Sequence, residues 1–511
     1  MPFYPSSLGN GDIVKCTYRP IPTPTVKDHV MIASEHYYPL LFIGGRRVAP
    51  LSGDIIDVAS PHDGTVVGTA ALADNHDIDR AVAVAREAFD TGPWPTMTPE
   101  ARQQILARFN ALYAERASDI AQLVTRENGS PLWFTQLLQA ALPMQNQAYL
   151  DAAANYPWEA TLPPQGNGKT LWRREPIGVV AAVIPWNAPH QSALVKLFPA
   201  LLAGCTVILK LALETALDGQ MLGELFNEAG LPAGVLSIVA ADKDVSAYLV
   251  NHPGVDKVAF TGSTAAGKKI AAVAGGQLKR VSLELGGKSA AIVLEDAKIE
   301  TSAMHMVMAA FANNGESCVA KTRLLVPRSR HDEVVAMLVS FASHLQVGDP
   351  SNQQTLIGPL VSARQQARVT SYIALGIKEG ATVALGGLGL PDGITTGHYV
   401  RPTIFANVDN RMRIAQEEIF GPVLCVIPYD SVEDAIRIAN DSDYGLGGQV
   451  WTENVDLGLQ IARRIRTGTF EINGASPDFR APFGGYKQSG SGREFGAEGL
   501  NEYIQHKTIV L

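Results

Sequence analysis

The chain has 511 residues, more than a single hydrophobic core usually supports, so two or more domains are expected. Hydrophobic residues make up 46% and charged ones 18%, which argues against a largely disordered chain. A net charge of −8 without any basic stripe speaks against nucleic acid or an acidic membrane as partner, and no window has the long uncharged run of a membrane helix.

Residues 1–36 hold five prolines and no apolar secretory core, and they read as an extended arm without an export signal. The four cysteines, Cys16, Cys205, Cys318 and Cys425, are far apart and unpaired in spacing. That fits a reducing, cytoplasmic setting and disfavours a disulfide scaffold or zinc ribbon. Thr98 and Pro99 predict a helix start, Asn128-Gly129 predicts its stop, and Ile105, Leu106, Phe109, Leu112 and Tyr113 form its apolar face.

From 177 onward short apolar runs alternate with helical patterns. Strands are expected at Val179–Ile184, Cys205–Leu209, 235–240 and Val255–Phe260, with helices at 189–203, at 217–229 and from 265. Repeated units of this kind imply an α/β fold with a parallel sheet covered on both faces. Ligands in such sheets sit beyond the carboxyl ends of the strands. A second series, with strands near 290–294, 322–326, 380–385, 422–428 and 467–472, predicts a second α/β domain. Residues 158–176 read as a protruding β-hairpin, and the tail 502–511 is strand-like. Such strands often pair with another subunit, although a surface hairpin on a monomer fits equally.

Two glycine segments fall short of a phosphate-loop NTPase. Gly262 to Lys268 has Lys269 where Ser or Thr must ligate magnesium, and Gly286-Gly287-Lys288-Ser289 has Ser282 in place of the first glycine. Gly262–Gly267 still follows a strand and opens a helix, which makes an anion site with Ser263 adding a hydroxyl. Gly386-Gly387-Leu388-Gly389 has no helix signal after it and reads as a loop.

Three segments carry the chemistry: Pro185-Trp186-Asn187-Ala188-Pro189, Leu283-Glu284-Leu285-Gly286-Gly287-Lys288, and Gly315-Glu316-Ser317-Cys318. Singly, each reads as a turn, a strand end or a core cysteine. Jointly, with Gly262–Gly267, Glu418-Ile419-Phe420-Gly421-Pro422, Pro482-Phe483-Gly484-Gly485-Tyr486-Lys487 and Ser489–Glu494, the sequence resembles the NAD(P)-dependent aldehyde dehydrogenase superfamily of the non-acylating, hydrolytic type. The likeness runs in motif order from about Leu41 onward, and 318 − 284 = 34 is the spacing such enzymes show.

This resemblance implies a Rossmann-like cofactor domain (37–157 and 177–285), a catalytic α/β domain (286–488), and oligomerisation elements at 158–176 and 489–511. It implies Cys318 as nucleophile, the Asn187 amide and the Cys318 N–H as oxyanion donors, and Glu284 as the base that activates water. Lys196 and the cationic nicotinamide would favour the thiolate. The implied cofactor residues are Trp186, Gly262, Ser263 and Gly267 at the pyrophosphate, with Ile184 at the preceding strand end. Lys210 and Glu214 would meet the adenine ribose, Glu418 the nicotinamide ribose, and Leu285 and Phe420 the nicotinamide ring. Glu214 tilts the choice to NAD over NADP by repelling a 2′-phosphate.

The sequence departs from the family at three places. Leu211, Leu213 and Ala216 stand where relatives often carry proline, which is expected to loosen the turn after Lys210. Glu316 replaces a common Gln and would raise the thiol pKa if it faced the sulfur, or else point into a surrounding network. The wall 474–480 starts with small residues, predicting a roomier pocket for a bulky or aromatic aldehyde, and Arg480 reads as a surface arginine. The expected activity is NAD-dependent oxidation of a small-molecule aldehyde by a homodimer or homotetramer, without metal. Alternatives are a CoA-acylating enzyme, disfavoured by Glu284, and a catalytically idle binding or structural protein on the same fold.

Overall fold

Thr98 caps a helix over Pro99–Asn128, accepting from the Ala101 N–H at 3.3 Å, and Gly129 ends it in the left-handed region at φ 79°. The apolar face predicted for this helix is its buried face: Ile105, Leu106, Phe109 and Tyr113 are buried, and Phe109 stacks on Phe226 at 3.9 Å. Truncating such a side chain typically costs about 3–5 kcal/mol. The computed structural model describes residues 36–164 and 168–511. The expected arm, apart from His36, and the tip of the expected hairpin lie outside the described residues.

The first sheet holds five parallel strands in the order Arg280–Glu284, Lys257–Thr261, Val179–Val183, Thr206–Leu211, Leu236–Ala240. Their side chains are mostly buried, as expected of a sheet covered on both faces. Starting at Val179–Val183, the chain builds outward in one direction, then reverses to lay Lys257–Thr261 on the other side. The crevice between these two strands is therefore a topological switch point, where ligands bind beyond the carboxyl ends.

A second sheet is parallel through Thr403–Ala406, Val423–Tyr429, Arg323–Pro327, Ala290–Val293, Gly448–Trp451 and Glu471–Ile472, with Thr382–Leu385 antiparallel at its edge. Thr403–Ala406 and Gly448–Trp451 are strands that periodicity did not reveal, as are the helices Asn75–Asp90 and Leu132–Ala154.

The two protruding strands find each other within one chain. Thr170–Pro176 pairs with Glu159–Leu162 on one side and with Ile504–Val510 on the other. Gly490–Ser491 behaves differently from the tail and joins the first sheet, antiparallel to Arg280–Glu284. The turn after Lys210 is firmer than its lost prolines suggested. Leu213–Thr215 forms a 3-10 turn, and the buried Glu127 carboxyl accepts the Leu217 and Asp218 N–H groups at 2.8 and 2.9 Å.

Candidate active site

Both strands at the switch point end in segments picked out by sequence. After Val179–Val183 come Trp186 and Asn187, before Pro189 opens the helix Pro189–Ala203. The Asn128 amide holds this bend by donating to the Trp186 carbonyl at 3.0 Å. After Lys257–Thr261 comes Gly262, and Ser263 caps the helix Thr264–Gly276 by accepting from Ala266 N–H at 3.3 Å. A side chain at Gly267 would come within 2.5 Å of Leu285, so glycine lets this helix settle on the residue after Glu284. A cavity of about 500 Å³ opens here, bounded by Trp186, Gly262 and Ser263 and reaching Glu284 and Cys318. Free N–H groups at a helix start suit a phosphate at its mouth.

Cys318 follows a turn in which Asn313, Asn314 and Gly315 all have positive φ, at 54°, 58° and 69°. Non-glycine residues there cost on the order of 1–3 kcal/mol each and need to be held in place. Asn314 donates to the Gly129 and Pro359 carbonyls at 3.0 and 2.9 Å and accepts from Gly358 N–H at 2.7 Å. Asn313 donates to the Asn187 carbonyl at 2.9 Å, and the Asn187 amide donates to the Glu316 carbonyl at 3.0 Å. One Asn187 N–H is thus occupied, and Asn187 lines the same cavity as Cys318. Cys318 is half-buried, with its own backbone N–H turned toward the sulfur. Burial pushes the thiol up to about 12, and the Glu418 and Glu284 carboxylates add to the rise.

Glu316 is engaged by its own partner rather than free to face the sulfur. Its carboxyl is buried, accepts from Val361 N–H at 3.1 Å, and is raised well above the ordinary range by burial. It belongs to the network under the loop.

Glu284 ends the strand Arg280–Glu284 and is 7% exposed. Burial holds its carboxyl well above 4.5; the Glu494 carboxylate adds to this, while Lys196 and Arg493 oppose it. Its Oε2 has no hydrogen-bond partner among the described residues. Lys196 sits elsewhere than the expected place beside the thiol. Its ammonium donates to Thr261 Oγ1 and Glu494 Oε1, both at 2.6 Å, so its charge acts on the Glu284–Glu494 pair. Glu494 was legible only as part of a motif, and its role at the wall comes from the backbone pairing of Phe483 with Glu494, 2.7 Å each way.

On the opposite wall the Glu418 carboxyl accepts from Gly287 N–H at 2.9 Å. Gly286 leaves room for this carboxyl, since a Cβ there would stand 2.4 Å from Glu418 Oε2 and displace it. Burial raises this carboxyl to about 6, against the pull of the Gly287 N–H. Phe420, at φ 65°, stands edge-on to Trp186 at 5.5 Å. Gln365 fixes Phe420 through its carbonyl at 2.6 Å, and Arg368 holds the Glu418 and Ile419 carbonyls. Nothing in the sequence had singled out Gln365 or Arg368.

Four expected cofactor residues lie off the cavity wall. Ile184 is buried in the core, and Gly267 backs Leu285. The Lys210 ammonium is lowered to about 8 by burial, with Glu214 and Asp242 opposing. Glu214 pairs at 3.4 Å with Arg364, which does line the cavity. A second cavity, about 320 Å³, adjoins the first and is lined in part by Ala475, Ser476 and Pro477. Arg480 is 80% exposed and pairs with Asp478 at 2.6 Å.

Comparison with known proteins points to one family. The chain matches the aldehyde dehydrogenase family over residues 48–509. It is 44% identical over 472 residues to a geranial dehydrogenase of Castellaniella defragrans, covering 92% of this chain and 98% of that one. It is 42% identical to a 3-succinoylsemialdehyde-pyridine dehydrogenase of a Pseudomonas species, covering 93% and 98%. Among solved structures, the Mycobacterium tuberculosis aldehyde dehydrogenase with NAD+ superposes with a TM-score of 0.89 at 46% identity, covering 93% and 98%. A cysteine-to-alanine variant of Pseudomonas syringae aldehyde dehydrogenase C, with NAD+ and octanal, gives 0.89 at 41% identity, covering 93% and 97%. The crevice at the switch point, the cysteine on its strained turn and a match over nine-tenths of the sequence lead to one conclusion: this chain belongs to the aldehyde dehydrogenase family.

Proposed function

We infer that the protein oxidises an aldehyde to the carboxylic acid, using NAD, with Cys318 as nucleophile and Glu284 as hydrolytic base. The observation that carries this reading is that Cys318, Asn187 and Glu284, whose Oε2 is buried without a hydrogen-bond partner among the described residues, line one cavity, which opens onto the switch-point crevice. The crevice fits a dinucleotide. A capped helix start at Ser263 suits the pyrophosphate, Glu418 a ribose, and the Trp186–Phe420 corner a flat ring. Glu214 beside Lys210 supports NAD over NADP, as do relatives solved with NAD+.

The Cys318 thiol passes its proton to solvent water in the open cavity, and the sulfur adds to the aldehyde carbon, forming a C–S bond as the carbonyl π bond breaks to leave an oxyanion. The Asn187 amide and the Cys318 backbone N–H meet that oxygen. NAD, when bound, supplies the hydride acceptor. The resulting thioester on Cys318 is opened by water, from which Glu284 takes a proton. The acid leaves with the water oxygen, and the thiol is restored. Lys196 and Glu494 set the charge around Glu284.

The presence of Glu284 disfavours CoA as the resolving nucleophile, and an open path to Cys318 disfavours an idle binding protein. Ile504–Val510, paired on one side only among the described residues, supports a homo-oligomer built through that edge. The unpaired thiols Cys205, Cys318 and Cys425 support a reducing, cytoplasmic setting.

The test is NADH formation with aliphatic, aromatic and terpenoid aldehydes, with and without CoA, for wild type and Cys318→Ala. Turnover without CoA that vanishes in the variant is expected. Undiminished turnover in Cys318→Ala would overturn the mechanism, and a strict CoA requirement would move the protein to the acylating class.

A further inference from the structure

The second cavity shares Ser317, Val319, Phe483 and Phe495 with the first, so the two meet at both neighbours of Cys318. At about 320 Å³ it falls at the small end of the range for small-molecule sites. Most of its wall is small or apolar, from Ala309 and Ala312 on one side to Ala475 and Pro477 on the other. One pole differs. There Lys321, with a side chain only 5% exposed, meets Glu471 at 2.9 Å, and both border the cavity.

A buried ion pair costs desolvation and is tolerated where its remaining donors and acceptors are met. Glu471 is satisfied at both oxygens: Oε1 accepts from Lys321, and Oε2 accepts from Gln449 at 3.1 Å. Gln449 is itself fixed by the Trp451 indole N–H at 3.1 Å. Lys321 is not satisfied. Of the three N–H groups of an ammonium, one goes to Glu471 and one to the Val319 carbonyl at 3.1 Å. The third finds no acceptor among the described residues. The remaining charge on the wall, Asp478, is paired with Arg480. The pole is therefore electrically balanced with one donor to spare. A carboxylate brought here would face Glu471, and an ammonium would face Lys321. A neutral acceptor meets neither penalty.

We propose that this cavity receives the distal end of the aldehyde, and that Lys321 selects substrates whose apolar body ends in a neutral hydrogen-bond acceptor such as a hydroxyl, carbonyl or ring nitrogen. The proposal rests on the aldehyde oxidation inferred above and specifies its substrate class. Lys321 is bonded to the carbonyl of Val319, the residue after the nucleophile, so recognition of the tail and placement of the carbonyl carbon share one segment.

The experiment compares kcat/KM for ω-hydroxyaldehydes of increasing length with the matched n-alkanals and ω-oxocarboxylates. At one chain length the hydroxyaldehyde should exceed the alkanal about 10-fold, as expected of a hydrogen bond to a charged donor, with the oxocarboxylate below both. Lys321→Met should bring the hydroxy-to-alkyl ratio to about one at that length. Because this variant strands the Glu471 carboxylate, the double variant Lys321→Met with Glu471→Gln repeats the measurement with both charges removed. A flat ratio at every length in the wild type, a ratio kept in both variants, or a preference for the oxocarboxylate would overturn the proposal. Absence of NADH with every aldehyde would overturn the oxidation itself, and this proposal with it.

Discussion

Replacing Glu418 by glutamine should separate the stability of the crevice from its use. The carboxyl accepts from Gly287 N–H at 2.9 Å in a pocket that has no room for a Cβ at Gly286. Burial raises it from 4.5 to about 6, so the folded protein holds this proton more tightly than the unfolded chain does. The contribution to stability is complete below the unfolded value and is lost as pH rises through the folded one. From 4.5 to about 6, at about 1.4 kcal/mol per pH unit, the loss approaches about 2 kcal/mol. That figure is an upper limit, because the side chain keeps some contact with solvent in the cavity. An amide carries no charge at any pH, and its carbonyl can keep the bond from Gly287. Glu418→Gln should therefore match wild type at about pH 4 and exceed it by up to about 2 kcal/mol at about pH 7.5. Unfolding of the cofactor-free protein at both pH values measures this. Calorimetric titration with NAD should show weaker binding by the variant if Glu418 holds a ribose as proposed, since an amide oxygen accepts more weakly than a carboxylate. A variant less stable than wild type at the higher pH, or stabilised equally at both, would refute the reasoning.

Three further outcomes follow from the same geometry. Asn187→Ala should lower kcat by about 10²–10³ through loss of an oxyanion donor, with circular dichroism confirming that the Glu316 loop still folds. Glu284→Gln should release a burst of NADH and then stall, seen by stopped flow. In the wild type, steady-state turnover should climb with pH as Glu284 sheds a proton that burial retains to well above 4.5, and the variant should lack that limb. Gly315→Ala puts a Cβ 2.3 Å from the Gly421 carbonyl at φ 69°. The cost is about 1–2 kcal/mol for the left-handed backbone and about 1–3 kcal/mol for overpacking, read as a lower Tm with loss of turnover.

Much of this arrangement was legible because local signals agreed with each other. The cap at Thr98, the stop at Gly129 and the strands from Val179 to Thr261 follow from periodicity and turn chemistry, within one or two residues. Gly448–Trp451 escaped because it is short and follows Gly445-Leu446-Gly447, which reads as a loop; its burial between Ala290–Val293 and Glu471–Ile472 makes it a strand. Cys318, Glu284 and Asn187 were recognisable as motif residues. Of their supports, Gln365 and Arg368 carried no signal, and Lys196 and Glu494 were named without their contacts, because all four act through residues far away in the sequence. Lys196 shows the difference. Its expected charge on the thiol depended on direction, and the structure aims it at Glu494, 298 residues onward. Glu316 is similar: its identity raised the question, and the Val361 N–H answers it.

The strand Gly490–Ser491 has a consequence for the order in which the enzyme is made. It pairs beside the strand that ends in Glu284, while Glu494 and Phe495 close the cavity wall and the Phe495 N–H docks on the Tyr149 hydroxyl at 2.7 Å. Gly490, Ser491, Glu494 and Phe495 all emerge from the ribosome after the cysteine they help to enclose. A nascent chain can therefore complete the Rossmann-like strands and the cysteine loop without yet owning a working base environment. The wall beside Glu284 is thus completed by the last part of the chain to be made, where the segment after residue 488 folds back over sequence made long before it.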